Sequence, residues 1–211
     1  MAVKVSVIYY SSTGTNYQMA REAVAAAEQA GAEARLRRVR ELAPPEAINS
    51  RPEWKRHLEE TRHIPEATLD DLDWADVLVF SSPTRFGLIA AQMKQFLDTT
   101  GPLWAQGKLV NKVVTCMTSA QNPHGGQEAT LLSFLVPMCH WGAILVPPGY
   151  TDQAVFEAGG NPYGTSVTAR DGTLDERARR AIHHQVTRAI QIAGWLQAGR
   201  QAGVGAGAGR S

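Results

Sequence analysis

The chain reads as an α/β protein, a doubly wound parallel sheet of five strands with helices on both faces. Three observations predict it. Short apolar runs alternate with helical patterns along the chain. The run at 77–81 is near-continuously apolar, as expected of a strand covered on both faces. The first run, Val5-Ser6-Val7-Ile8-Tyr9-Tyr10, passes directly through a turn of small hydroxyl and glycine residues into a helix.

The elements follow in order. Residues 3–10 form the first strand, and 16–29 an alanine-rich helix that stops at Gly31. Residues 33–39 form the second strand, 77–81 the third, and 92–99 a helix. Residues 112–118 form the fourth strand, 127–139 another helix, 143–146 the fifth strand and 175–198 the last helix. Residues 1–198 are read as a single domain with two insertions, about 44–68 and 149–172. A Gly/Ala-rich tail, 199–211, is read as flexible. The first insertion is charged and proline-bearing. It reads as a solvated excursion with a short helix, or as an oligomer contact around Trp54. The second contains Gly159-Gly160-Asn161-Pro162-Tyr163-Gly164, and long loops in compact domains are usually functional.

The composition narrows the function classes. A chain of 211 residues, 44% hydrophobic, can bury one full core. With 21 basic and 20 acidic residues the net charge is +1, which gives no support to direct nucleic-acid binding or to an anionic membrane surface. No apolar run approaches the length of a membrane span. The start, Met-Ala-Val-Lys-Val, reads as the first strand rather than a signal peptide. Cys116 and Cys139 match no metal or redox spacing, so a reduced, cytoplasmic setting is expected.

The turn after the first strand is Ser11-Ser12-Thr13-Gly14-Thr15-Asn16. Backbone N–H groups and the positive helix end favour an anion there, and the hydroxyls add donors without charge. A Walker loop would need a lysine, and none is present. A dinucleotide loop would need three glycines and an acidic residue after the second strand; here there is one glycine, and Arg37, Arg38 and Arg40 precede Glu41. The turn suits a mononucleotide such as FMN. The bland alternative is a Ser/Thr cap on the helix.

In such a sheet the loops after strands one, three and four converge. The second of these is Ser82-Pro83-Thr84-Arg85-Phe86-Gly87, where a planar ring could pack and Arg85 could offset negative charge. The third is Ser119-Ala120-Gln121-Asn122-Pro123-His124-Gly125-Gly126-Gln127, small and amide-rich, suited to close backbone approach. Their alternatives are a tight turn with a solvent-facing arginine and a flexible loop ending in a helix cap. Thr100-Gly101-Pro102-Leu103-Trp104 puts a tryptophan on a loop, to stack on a ring or to plug a gap. His140 ends a helix, where a dipole role is as plausible as a ligand role. His183-His184 reads as surface, and Glu128 and Asp98 as structural acids.

These motifs, in this order, resemble the tryptophan-repressor-binding-protein (WrbA) family of FMN-dependent NAD(P)H:quinone oxidoreductases, a branch of the flavodoxin-like fold. Pro83-Thr84-Arg85-Phe86-Gly87 is the most specific element, and the likeness runs from about residue 3 to 197. The resemblance implies strand order 2-1-3-4-5. It assigns Ser11 through Asn16 to the FMN phosphate, and Thr84, Arg85 and Phe86 to the isoalloxazine ring. It also assigns Ser119 through Gly125 to the FMN, His140 to the flavin site, and Trp104 to the wall where nicotinamide or quinone stacks. Some members carry an aromatic residue at the position of Thr13, and Thr13 cannot stack. The resemblance further implies a homotetramer with FMN sites near subunit contacts.

The function expected is two-electron reduction of quinones, with NADH or NADPH as donor and both substrates taking turns at one site. No residue is assigned a direct catalytic role. The competing readings are a flavodoxin-type electron carrier, which would want an acidic docking face, a regulatory flavoprotein, and an NADP-binding reductase using Arg37 or Arg38.

Overall fold

The computed structural model describes residues 2–168 and 173–203. Met1, the end of the second insertion at 169–172 and tail residues 204–211 lie outside the described residues.

The chain begins with β1 (Lys4–Tyr9), α1 (Thr15–Gln29) and β2 (Glu33–Arg38). Three helices follow, α2 (Pro45–Asn49), α3 (Pro52–Glu60) and α4 (Leu69–Trp74). Next come β3 (Val77–Arg85), β4 (Leu88–Ile89), α5 (Ala91–Asp98), α6 (Gly101–Ala105), β5 (Val113–Ala120) and α7 (Gln127–Trp141). The last elements are β6 (Ile144–Leu145), α8 (Gln153–Glu157), β7 (Ser166–Thr168) and α9 (Glu176–Gln201).

The main sheet has the order β2-β1-β3-β5-β6, with every neighbouring pair parallel. Counted among the five expected strands, that is 2-1-3-4-5. Side chains alternate across it, as the two-residue strand period demands. Val5, Val7, Val77 and Val79 face α1 and α9, against Met19, Ala23, Ile182 and Val186. Ile8, Leu78, Phe80 and Val114 face the other way, against Met93, Phe96, Leu131 and Phe134. The small residues of α1 let it approach the sheet closely. The direction of winding reverses between β1 and β3, so a crevice opens at their carboxyl ends.

Four features differ from the sequence reading. The fifth strand is in two pieces: β6 pairs with the start of β5, the chain leaves for the second insertion, and β7 returns to pair with Thr118–Ala120 at its end. Residues 101–105 are a short helix rather than a loop, with Pro102 in the first turn, where its missing N–H costs nothing. The third strand extends through Pro83 to Arg85 and folds back as the antiparallel β4. The 44–68 segment is not simply a solvated excursion: it forms α2 and α3 and buries His57, Thr61 and Ile64. A reciprocal cap between Thr68 and Asp71 starts α4, worth about 1 kcal/mol.

Candidate functional site

The first loop owes its shape to Gly14. This residue is the N-cap of α1 at φ 107, a conformation that favours glycine. Its N–H is bonded to Ser11 Oγ at 3.0 Å. No side chain caps α1, and its first turn has no acidic residue. The Ser/Thr cap considered above is therefore absent, and the positive end of a 15-residue helix meets the crevice uncapped. Asn16 is buried with its side chain committed: Nδ2 donates to Ser81 Oγ at 3.0 Å, and Oδ1 accepts from Ser119 Oγ at 2.6 Å. It ties this loop to β3 and β5.

The second loop is a two-residue hairpin. Phe86 (φ 54) and Gly87 (φ 80) link β3 to β4, positive at both central positions as in a type I′ turn. Phe86 is fully exposed at 106%. Arg85 donates from Nη1 to Thr84 O at 2.9 Å and from Nη2 to Ser12 Oγ at 3.2 Å, spanning the first and second loops. Thr84 Oγ1 accepts from Gly87 N and from Thr130 Oγ1, and donates to Gly125 O, joining the second loop to the third. At Gly126 a Cβ would stand 2.8 Å from the Gly87 Cα, so the backbones of these two loops meet this closely because residue 126 lacks a side chain. Gln127 Nε2 closes the third loop onto Asn122 O at 3.1 Å.

Ser11, Ser12, Thr13, Thr15, Asn16, Pro83, Thr84, Arg85, Phe86, Ser119, Ala120, Gln121, Asn122 and Gly125 line one cavity of about 1060 Å³. Gly14 lines an adjoining one. Gly87 and His124 lie in the same loops without lining this cavity. Trp104 and His140 do not line it either; they meet each other, Trp104 Nε1 donating to His140 O at 3.0 Å. The donor set fits a mononucleotide: an uncapped helix start with uncharged hydroxyls at one end, and two loops rich in backbone and amide groups at the other.

The sequence reading missed one wall. Ala47, Ser50, Arg51, Glu53, Trp54 and Arg56, from α2 and α3, also line the cavity. An aromatic residue between arginines in a proline-bounded segment was the available signal. Glu41 was missed as well. Its carboxylate accepts from Trp54 Nε1 (3.0 Å), Tyr10 OH (3.0 Å), Gln92 Nε2 (2.7 Å) and the N–H groups of Leu42 and Ala43 (both 2.9 Å). Burial first, then the neighbouring Glu41 charge, pushes the Tyr10 phenol well above its ordinary range, so it remains a donor.

The fold and these converging loops define a flavodoxin-like α/β protein. Known structures share the architecture. A WrbA-like flavodoxin from Agrobacterium tumefaciens superposes with a TM-score of 0.66 at 20% identity, covering 92% of this chain and 99% of that one. A flavodoxin from the domain Archaea superposes at 0.61 with 13% identity, over 91% and 99%. Residues 3–154 match the family described as NADPH-dependent FMN reductase, and the chain belongs to that family. A relative from Deinococcus radiodurans, named NAD(P)H dehydrogenase (quinone), is 53% identical over 190 residues, 90% of this chain and 95% of the relative. One of the same name from Syntrophobacter fumaroxidans is 43% identical over 173 residues, 79% and 84% of the two chains.

Proposed function

We propose that this chain is an FMN-dependent NAD(P)H:quinone oxidoreductase that reduces quinones by two electrons. The observation that carries this reading is the uncapped start of α1, facing the same cavity as the Thr84–Phe86 and Ser119–Gly125 loops. The relatives' shared name supports the activity. FMN, when bound, supplies the redox chemistry.

The chain's residues supply the rest. Ser11, Ser12, Thr13 and Thr15, with the first N–H groups of α1, hold the phosphate without a competing charge. Arg85 brings positive charge to the rim of the cavity, where it would offset negative charge on a bound flavin ring. Thr84, Phe86 and the 119–125 loop, which includes His124, position the ring, and Gly87 shapes the β3–β4 turn. Donor and quinone take turns at one site, which predicts parallel double-reciprocal plots.

A homotetramer is part of this proposal. Ala129, Leu132, Val136 and His140 recur at helical spacing along the exposed side of α7. Gly87 packs by Ala129 at the cavity end, and Trp104 is bonded to His140 at the other. Leu88, Leu132, Val136 and Trp104 are large exposed apolar groups along this strip. Subunits that meet there bring Trp104 and His140 of one copy towards the cavity of another. Free Cys116 and Cys139 suit the proposed cytoplasmic setting, and among the described residues no helix is long and apolar enough to cross a membrane.

The test is an FMN titration followed by a steady-state assay. Quenched flavin fluorescence and NAD(P)H-dependent benzoquinone reduction are expected. Flavin binding with no turnover from either nicotinamide would leave the electron-carrier reading instead.

A further inference from the structure

We propose that α3 is the docking element for the adenosine-phosphate end of the nicotinamide donor, with adenine on Trp54 and the donor's phosphates on Arg51 and Arg56. The inference rests on the oxidoreductase reading and names a subsite within it.

The first cavity, about 1060 Å³, lies at the upper end of the range of roughly 300–1,000 Å³ for single-ligand pockets. Past the phosphate loop it continues into a second cavity of about 620 Å³, and the two share Thr13, Glu53 and Arg56. The groove therefore extends beyond the phosphate end of a mononucleotide, along α3. A dinucleotide donor whose nicotinamide reaches the ring loops must lay its other half somewhere on this rim.

The chemistry of α3 suits that half. In the first cavity Arg51, Arg56 and Arg85 face a single wall carboxylate, Glu53; the second adds Arg21 and Arg179 with Glu22 and Glu60, and Arg179 is paired with Glu22. Arg51 is exposed and makes no ion pair among the described residues. The nearest carboxylate to Arg56 is Glu60 at 3.9 Å, a loose and exposed i,i+4 pair that a phosphate displaces cheaply. Guanidinium groups pair with phosphate oxygens in a fixed, two-pronged geometry.

Trp54 is the aromatic residue that α3 contributes to the first cavity. Its indole N–H is held at 3.0 Å by Glu41, which four other donors hold in turn. A carboxylate with five donors fixes the ring in one pose, and a ring fixed beforehand loses little entropy when a base stacks on it. Glu41 is thus a positioning residue for Trp54.

The test uses the FMN-loaded protein and two probes. One is 2′-phospho-ADP-ribose, a donor fragment without nicotinamide, titrated calorimetrically. The other is reduced nicotinamide mononucleotide, a donor without adenosine. The fragment should bind the wild-type protein, and Arg51→Gln with Arg56→Gln should weaken it by about tenfold or more. The same double variant should raise the ratio of KM for NADPH to KM for the mononucleotide by a similar factor. Trp54→Ala should weaken the fragment, while Trp54→Phe, which keeps a stacking face, should retain most of the affinity. Melting curves identify any variant that has not folded; the two arginines are exposed, so their variant keeps the test decisive. Unchanged fragment binding and KM ratio would overturn the assignment. So would loss of FMN affinity in place of fragment affinity, which would make α3 part of the flavin subsite. A wild-type protein that binds FMN but oxidises neither NADH nor NADPH would instead overturn the oxidoreductase reading itself.

Discussion

Phe86 combines two unfavourable choices, a left-handed backbone at φ 54 and a fully exposed ring. A type I′ turn prefers asparagine there, and the left-handed region costs an ordinary residue about 1–2 kcal/mol. Strain of this kind persists where the side chain serves a ligand or partner. Phe86→Asn should therefore raise the stability by about 1 kcal/mol in urea unfolding while lowering kcat/KM for quinone. Thr15 lines the cavity in the first turn of α1. Thr15→Glu should weaken FMN binding by at least about tenfold in a fluorescence titration, because a carboxylate there repels the phosphate and competes for the helix end. At this scale the turn itself was legible: small hydroxyl residues with one glycine after a strand lead straight into a helix start, and Gly14 stands at that start. The commitment of Asn16 to Ser81 and Ser119 was not, since its partners lie 65 and 103 residues away in the chain.

The element least visible in advance was the divided fifth strand. Its continuity depends on Gln185, a fully buried residue of α9. Its Oε1 accepts from the Thr165 N–H and hydroxyl, both at 2.7 Å, and its Nε2 donates to Thr115 Oγ1 and Cys116 O at 2.7 and 2.8 Å. One amide thus joins the returning insertion, β5 and the last helix. Gly164 permits the approach, since a Cβ there would stand 2.2 Å from Cys116 O. Gln185→Ala leaves several buried groups unpaired at about 1–3 kcal/mol each, so a loss of at least about 2 kcal/mol is expected in urea unfolding. The pattern of β6 was readable because it is apolar. That of β7 was not: Ser166-Val167-Thr168 has a strand's character only beside β5. The same holds for α3, whose charges suggested solvent until packing turned Trp54 and His57 inward.

For the molecule as a whole, two solution properties follow. His57 is 6% exposed, and burial, against a smaller opposing effect of Glu60, lowers its pKa from the ordinary value of about 6.5. As pH falls, the unfolded chain takes up this proton first. The contribution of neutral His57 to stability is therefore full above about pH 6.5 and lost as pH drops from there to the folded value. Urea midpoints should fall more steeply over that window in the wild-type protein than in His57→Gln; equal slopes would show that His57 is not the group responsible. The proposed assembly has its own check. Leu132→Asp with Val136→Asp puts charge on the exposed strip of α7 and should convert a tetramer to smaller species in analytical ultracentrifugation. The sequence by itself determined the alternation of strands and helices, the parallel sheet and the glycine-bearing turn between β1 and α1, because apolar period and turn chemistry are local. Only the tertiary structure decided that α3 walls the cavity, that Glu41 holds Trp54, and that the last strand is split around an insertion. Those features depend on groups far apart in the chain, and their hydrogen bonds and close contacts exist only once the sheet has brought them together.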